Sequence, residues 1–239
     1  MAIETKTIEY THNGTVLEGV LATDRSEIGK KPLVMVAHAW AGRSDFEVGI
    51  AKDLAGLGFA GFALDLYGKG VLGSSVEENQ TLMTPFVEDR AFLQDRLKSA
   101  HDAACALDDV NPNKTASIGY CFGGLCVLDM ARAGIKQDGV VSFHGLLGKP
   151  GNCDGNSISS KVLIMHGWDD PMVSPQDVVA VSEELTQANA DWQLHSFGQT
   201  MHAFTNPNAN DPDFGTVYNP VAEQRSWTMC SEFLAEILR

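Results

Sequence analysis

Positive charge is scarce in this chain. Lys and Arg number 17 against 31 Asp and Glu, a formal net charge of −14, and a surface that acidic is repelled by phosphate backbones and anionic lipid. Nucleic acid and membrane are therefore poor partner classes. Long apolar runs are lacking as well: no stretch reaches the roughly 18 residues that a membrane span needs. The first ten residues, Met1–Tyr10, alternate charged and apolar side chains, unlike the continuous apolar core of a signal peptide. Cysteine is sparse, odd in number and scattered, at 105, 121, 126, 153 and 230, with no Cys-x-x-Cys spacing. That pattern argues against a disulfide framework and a structural zinc site, and suits a reducing cytoplasm. There is no internal repeat and no Pro/Ser-rich linker, so the expectation is a single domain over residues 1–239.

What is present is a patterned globular chain of 239 residues, 44% hydrophobic and 20% charged. A hairpin opens it: Thr5–Tyr10, a turn at His12-Asn13-Gly14, then Thr15–Ala22, with Asn-Gly as the turn signal. Short apolar runs then read as strands at Leu33–Ala37, Ala60–Leu64, Ala116–Gly119, Val140–Phe143, Val162–Met165 and Trp192–Phe197. Helical stretches fall at Phe46–Leu57, Phe86–Leu107, Leu125–Ala133, Gln176–Ala188 and Val221–Leu238. Uniformly apolar strands alternating with helices indicate an α/β fold with a mostly parallel sheet covered on both faces. Periodicity does not separate a doubly wound sheet from a barrel; the motifs do.

Ile118-Gly119-Tyr120-Cys121-Phe122-Gly123-Gly124 follows a strand and opens a helix. It is a Gly-x-nucleophile-x-Gly elbow with Cys in place of Ser. The nucleophile of such an elbow sits on a strained turn, so Gly119 and Gly123 must lack a Cβ for the backbones to approach. The helix N-terminus directs its positive end at the sulfur and favours thiolate. The Phe122 N–H is then placed to stabilise an oxyanion. The plainer alternative is a buried Cys in a glycine-rich turn. Cys126, five residues on, points elsewhere on the helix and reads as packing rather than as a resolving thiol.

A Cys nucleophile needs a base, and the base an orienting acid, which α/β-hydrolases supply in the order nucleophile, acid, His. Asp170 follows the strand ending near Gly167 and precedes Pro171, and His202 lies in the loop Gly198–Phe204 after the next strand. Both sit past strand ends, where ligands gather in such sheets. Asp170 is preferred to its neighbour Asp169. His12 and His101 read as exposed turn and helix residues and His195 as structural. His38, His144 and His166 end strands at the site edge, where each is more often a hydrogen-bonded strand-end residue than a base. The second oxyanion donor belongs in the loop Ala39-Trp40-Ala41-Gly42-Arg43, at the N–H of Trp40.

On these residues the chain resembles the dienelactone hydrolase family of α/β-hydrolases. The carriers are Gly119–Gly124, Gly167–Asp170 and Met201–Phe204, supported by Phe62–Tyr67. The resemblance implies an α/β-hydrolase fold with about eight strands and a Cys121–His202–Asp170 triad. It also implies oxyanion donors at Phe122 and Trp40, and neither a cofactor nor a metal. Two positions depart from members that act on dienelactones: Ala39 replaces a Glu that touches the resting thiol, and Asn206 an Arg that grips the substrate carboxylate. Without that Glu, Cys121 and His202 are expected to pair as thiolate and imidazolium. The pocket walls are assigned to Tyr67, Trp40, Trp168, Met172 and Phe204, a lid edge to Thr81–Phe86, and anion binding to Lys69 or Arg90. The expected activity is hydrolysis of small esters, lactones or thioesters through a Cys121 thioester, by a monomer or small homo-oligomer. The competing class is a non-catalytic ligand-binding or thiol redox-sensing protein on the same fold.

Overall fold

Alternating strand and helix patterns become alternating elements in the computed structural model, which describes residues 2–26 and 28–239. The strands are β1 (Ile3–His12), β2 (Thr15–Asp24), β3 (Lys31–Ala37), β4 (Ala60–Ala63), β5 (Val110–Tyr120), β6 (Gly139–Phe143), β7 (Lys161–Gly167) and β8 (Trp192–Phe197), followed by the two-residue β9 (Asn210–Asp211) and β10 (Thr216–Val217). The helices are α1 (Asp45–Gly56), α2 (Val76–Glu88), α3 (Arg90–Cys105), α4 (Phe122–Arg132), α5 (Pro175–Gln187) and α6 (Pro220–Leu238). The first eight strands form one mostly parallel sheet in the order β1-β2-β4-β3-β5-β6-β7-β8. The chain divides into two compact units, Met1–Ile118 and Gly119–Arg239.

In the first unit, Asn13 and Gly14 both take the left-handed region, at φ 48° and 76°. That is the conformation for which an Asn-Gly hairpin turn is chosen. β2 runs antiparallel to β4, and β4 parallel to β3. A capping box of Ser44 and Glu47 starts α1, and α1 lies so close to β4 that a Cβ on Gly61 would fall 2.2 Å from the Ala51 carbonyl oxygen.

Three readings of the sequence need correction here. The single helix expected over Phe86–Leu107 is two, because Asp89 leaves helical geometry at ψ 85° and its carboxylate accepts the Phe92 N–H to start α3. A capping carboxylate satisfies an N–H that a helix start leaves open, so the break is stable. Thr81–Phe86 consequently lies within α2. The other two corrections concern histidines. His12 is half-buried and its Nδ1 accepts a hydrogen bond from Arg96 Nε at 2.8 Å. His101 is buried, with its Nε2 3.6 Å from the Cys105 sulfur.

In the second unit, β6, β7 and β8 pair in parallel, Val140 opposite Val162 and Val162 opposite Trp192. α4 begins at Phe122, three residues before its apolar pattern does, because Gly123 and Gly124 carry no hydropathy signal. Cys126 is fully buried within it. The guanidinium of buried Arg132, near its end, bonds Asp129, Glu184 and the carbonyls of Leu147 and Gly148. Among the described residues no helix is long and apolar enough to cross a membrane.

Candidate active site

The nucleophile position is built by strain. Cys121 sits between β5 and α4 at φ 57° and ψ −116°, a conformation that costs an L-residue on the order of 1–3 kcal/mol and persists only where the surroundings impose it. Two contacts impose it. The Cys121 N–H donates to the Phe143 carbonyl at 3.0 Å, fixing the elbow to the end of β6. A Cβ on Gly119 would lie 2.0 Å from the Gly123 carbonyl oxygen, so only glycine lets the strand and the first turn of α4 close on one another. Phe122 is the first residue of α4, and the N–H groups of a first turn point out of the helix with its positive end.

Asp170 and His202 meet in the same unit. Asp170 Oδ2 accepts the His202 Nδ1 hydrogen bond at 2.7 Å, while Oδ1 accepts the Met172 N–H at 2.8 Å. Asp170 is buried and Asp169 exposed, which separates two neighbours that the sequence alone leaves in competition. The second nitrogen of His202, Nε2, is buried without a hydrogen bond of regular geometry, and Cys121 is near enough to act on it electrostatically. Burial lowers the basicity of His202. The charge of a Cys121 thiolate, the hydrogen bond to Asp170, the approach of the Cys121 sulfur and the Asp170 charge outweigh it and push the pKa up to about 10.

The backbone of His202 is clamped by a strap that no sequence pattern announces. Its N–H donates to the Gly215 carbonyl at 3.0 Å and its carbonyl accepts from Val217 at 3.1 Å, a bridge beside Thr216 that extends the β9–β10 hairpin. Two-residue strands carry no periodicity, so no pattern announces them. Gly167 lets the end of β7 approach the same loop, since a Cβ there would lie 2.6 Å from the carbonyl oxygens of Thr200 and Met201.

The other residues singled out by sequence divide between the two units. In the second, Trp168 and Met172 flank Asp170 and are exposed. Phe204 is fully buried, packed edge-on against His144 and tilted against Phe197. Asn206 is exposed, and its Oδ1 accepts the Asn208 N–H in a local turn. His144 and His166 are both buried, and burial lowers the pKa of each.

In the first unit, Ala39 and Trp40 belong to a loop held at several points. Leu66 N–H donates to His38 Nε2 at 3.2 Å, which leaves His38 Nδ1 to donate to the Ala39 carbonyl at 2.7 Å. The Tyr67 hydroxyl donates to the Trp40 carbonyl at 2.9 Å, and its ring packs edge-on to His38. The Ala39 N–H reaches buried Glu47 at 3.4 Å. The peptide that presents the Trp40 N–H is therefore fixed in orientation. Lys69 forms ion pairs with Glu9 and Glu18, and Arg90 opens α3.

Comparison with known proteins bears on the family and the fold. The model of the dienelactone hydrolase family matches residues 17–238. A crystal structure of a dienelactone hydrolase-like promiscuous phosphotriesterase, P91, from metagenomic libraries superposes over the whole of both chains with a TM-score of 0.95 at 33% identity. An uncharacterized Caenorhabditis elegans protein, K02A2.1, is 40% identical over 153 residues, 60% of this chain and 93% of its own. A candidate carboxymethylenebutenolidase of Yersinia pestis is 24% identical over 90% of this chain and 81% of its own.

Proposed function

The chain belongs to the dienelactone hydrolase family of carboxylic ester hydrolases with an α/β-hydrolase fold, and we propose that it cleaves small esters, lactones or thioesters through an acyl-thioester on Cys121. The observation that carries this reading is the left-handed Cys121 next to a His202 whose pKa is raised to about 10 and whose Nδ1 is bonded to Asp170. A thiolate held beside an imidazolium is an activated nucleophile already paired with its acid.

In the first half-reaction the Cys121 sulfur attacks the carbonyl carbon, forming the C–S bond and moving the π electrons onto oxygen. The N–H of Phe122 receives that oxyanion; such a donor is typically worth about 3 kcal/mol. Collapse expels the alkoxide or thiolate leaving group, which takes the proton from His202 Nε2. A water then gives its proton to the neutral imidazole, attacks the thioester, and the C–S bond breaks to release the acid and regenerate the pair. Asp170 holds the imidazole in the tautomer that both steps require. No step calls for a cofactor, and a free thiol nucleophile suits a reducing cytoplasm.

Ala39 and Asn206 direct the substrate away from dienelactone itself, since neither supplies the carboxylate chemistry that those positions carry in members acting on it. Trp168 and Met172 are the wall residues best placed for contact with an acyl group, being exposed on either side of Asp170. The relative named as a promiscuous phosphotriesterase makes a neutral phosphotriester the second substrate class to try.

The test is hydrolysis of p-nitrophenyl acetate, butyrate and octanoate, with diethyl p-nitrophenyl phosphate alongside, by the wild type and by Cys121→Ala. Turnover in the wild type that falls by roughly a thousandfold or more in the variant supports the thioester route. Equal rates in the two proteins overturn it and bring the binding or redox-sensing reading forward.

A further inference from the structure

A second histidine stands against the catalytic base. His144 follows β6 with a left-handed φ of 38°, strained in the same sense as Cys121. Its N–H donates to the Met165 carbonyl at 2.8 Å, and the carbonyl of the preceding residue, Phe143, receives the Cys121 N–H. One peptide segment therefore holds the backbone of the nucleophile and, one residue later, projects a ring at the base. That ring meets His202 edge-to-face, with centroids 5.1 Å apart and planes at 66°. Its Nε2 lies 2.8 Å from the Thr205 hydroxyl, and Phe204 packs edge-on to it at 5.1 Å. Its Nδ1 is buried with no regular hydrogen bond among the described residues.

We propose that His144 is a positioning residue for the reaction: anchored at Thr205, its ring holds the His202 imidazole in line with Asp170 and Cys121. The inference rests on the catalytic reading of Cys121 and His202. The charged and titratable groups acting on His202 are Cys121 and Asp170, while His144 and His166 feel its charge in turn. Deep burial, followed by the adjacent His202 charge, pulls the pKa of His144 far down, so of the two touching rings only His202 carries the proton. A neutral aromatic ring in edge-to-face contact with a cationic one is an attractive arrangement, whereas two imidazolium rings would repel. The left-handed backbone at His144 is the strain that aims the ring there.

Two variants of similar volume separate the ring contact from the hydrogen bond. His144→Phe keeps a flat ring beside His202 and loses the bond to Thr205; His144→Gln keeps a polar group for Thr205 and loses the ring. With p-nitrophenyl butyrate, His144→Phe should stay within about threefold of the wild-type kcat. His144→Gln should lose roughly tenfold or more in kcat with KM changed by less than about twofold, as expected when only the alignment of a reacting group is disturbed. Iodoacetamide labelling of Cys121 against pH gives a readout that needs no substrate. Labelling should be slowed in His144→Gln and keep the wild-type profile in His144→Phe. If Gln matches the wild type in both measurements, or Phe is as impaired as Gln, the positioning role is overturned. Should the wild type show no esterase activity, the thioester reading fails while the labelling profiles still decide whether His144 aligns the Cys–His pair.

Discussion

Gly215 and Pro171 are locked together: a Cβ on Gly215 would lie 2.1 Å from Pro171 Cγ, and Gly215 itself takes φ +84°. The contact joins the loops that carry Asp170 and His202. Pro171 follows Asp170, and the Gly215 carbonyl accepts the N–H of His202. The 2.7 Å Asp170–His202 bond is thus supported by main chain on both sides.

Gly215→Ala is expected to pry these loops apart. The left-handed backbone costs a non-glycine residue about 1–2 kcal/mol, and the proline ring cannot swing aside as a flexible side chain would. Steady-state kinetics should show kcat lowered about tenfold or more, because small displacements of catalytic groups are amplified in rate. Thermal unfolding should show a modestly lowered midpoint.

The His202 ring should titrate far above its ordinary value of 6.5, near pH 10. Because the folded pKa is raised, the stability contributed by its protonation is fully present below about 6.5 and is lost as pH climbs through about 10. NMR of the imidazole resonances checks the value. In Cys121→Ser the same titration should move down, since the thiolate charge is the largest of the effects raising it. A His202 resonance that titrates alike in both proteins would remove the ion pair from the mechanism.

Arg132→Met removes a buried guanidinium and leaves the Asp129 carboxylate, itself fully buried, without the cation 3.2 Å away. Glu184 loses a 2.7 Å partner as well. Breaking a buried pair from one side typically costs about 3–5 kcal/mol, and urea denaturation should show a loss of that order. Esterase kinetics of the folded fraction should stay close to the wild type, as Arg132 lies at the far end of α4 from Cys121.

Much of this architecture is legible in the sequence, for reasons that can be assigned. The hairpin is readable because Asn13-Gly14 has one favoured turn geometry. β6 and β7 are readable because buried parallel strands are short apolar runs. The elbow stands out because its glycines are sterically required, and Asp170 and His202 because each follows a strand end. What misleads is local competition. Asp89 divides one apolar helical pattern into α2 and α3, and His101, on the buried side of α3, looks exposed in a charged neighbourhood. What is illegible is contact without a sequence pattern: the β9–β10 pairing, and the ring contact of His144 with His202, depend on approaches that no spacing encodes.

The β9–β10 strap grips the proposed base, His202, through peptide groups, and Gly215 is a position in it where side-chain size is critical. Its side chains are therefore largely exempt from the demands of the chemistry. Thr216 and Val217 should accept most replacements that keep an extended backbone, while insertions or deletions that slip the pairing by one residue should be tolerated poorly. Along this segment, drift in composition and rigidity in length are expected to go together. A region that looks dispensable in a substitution scan would then prove essential in a scan of deletions.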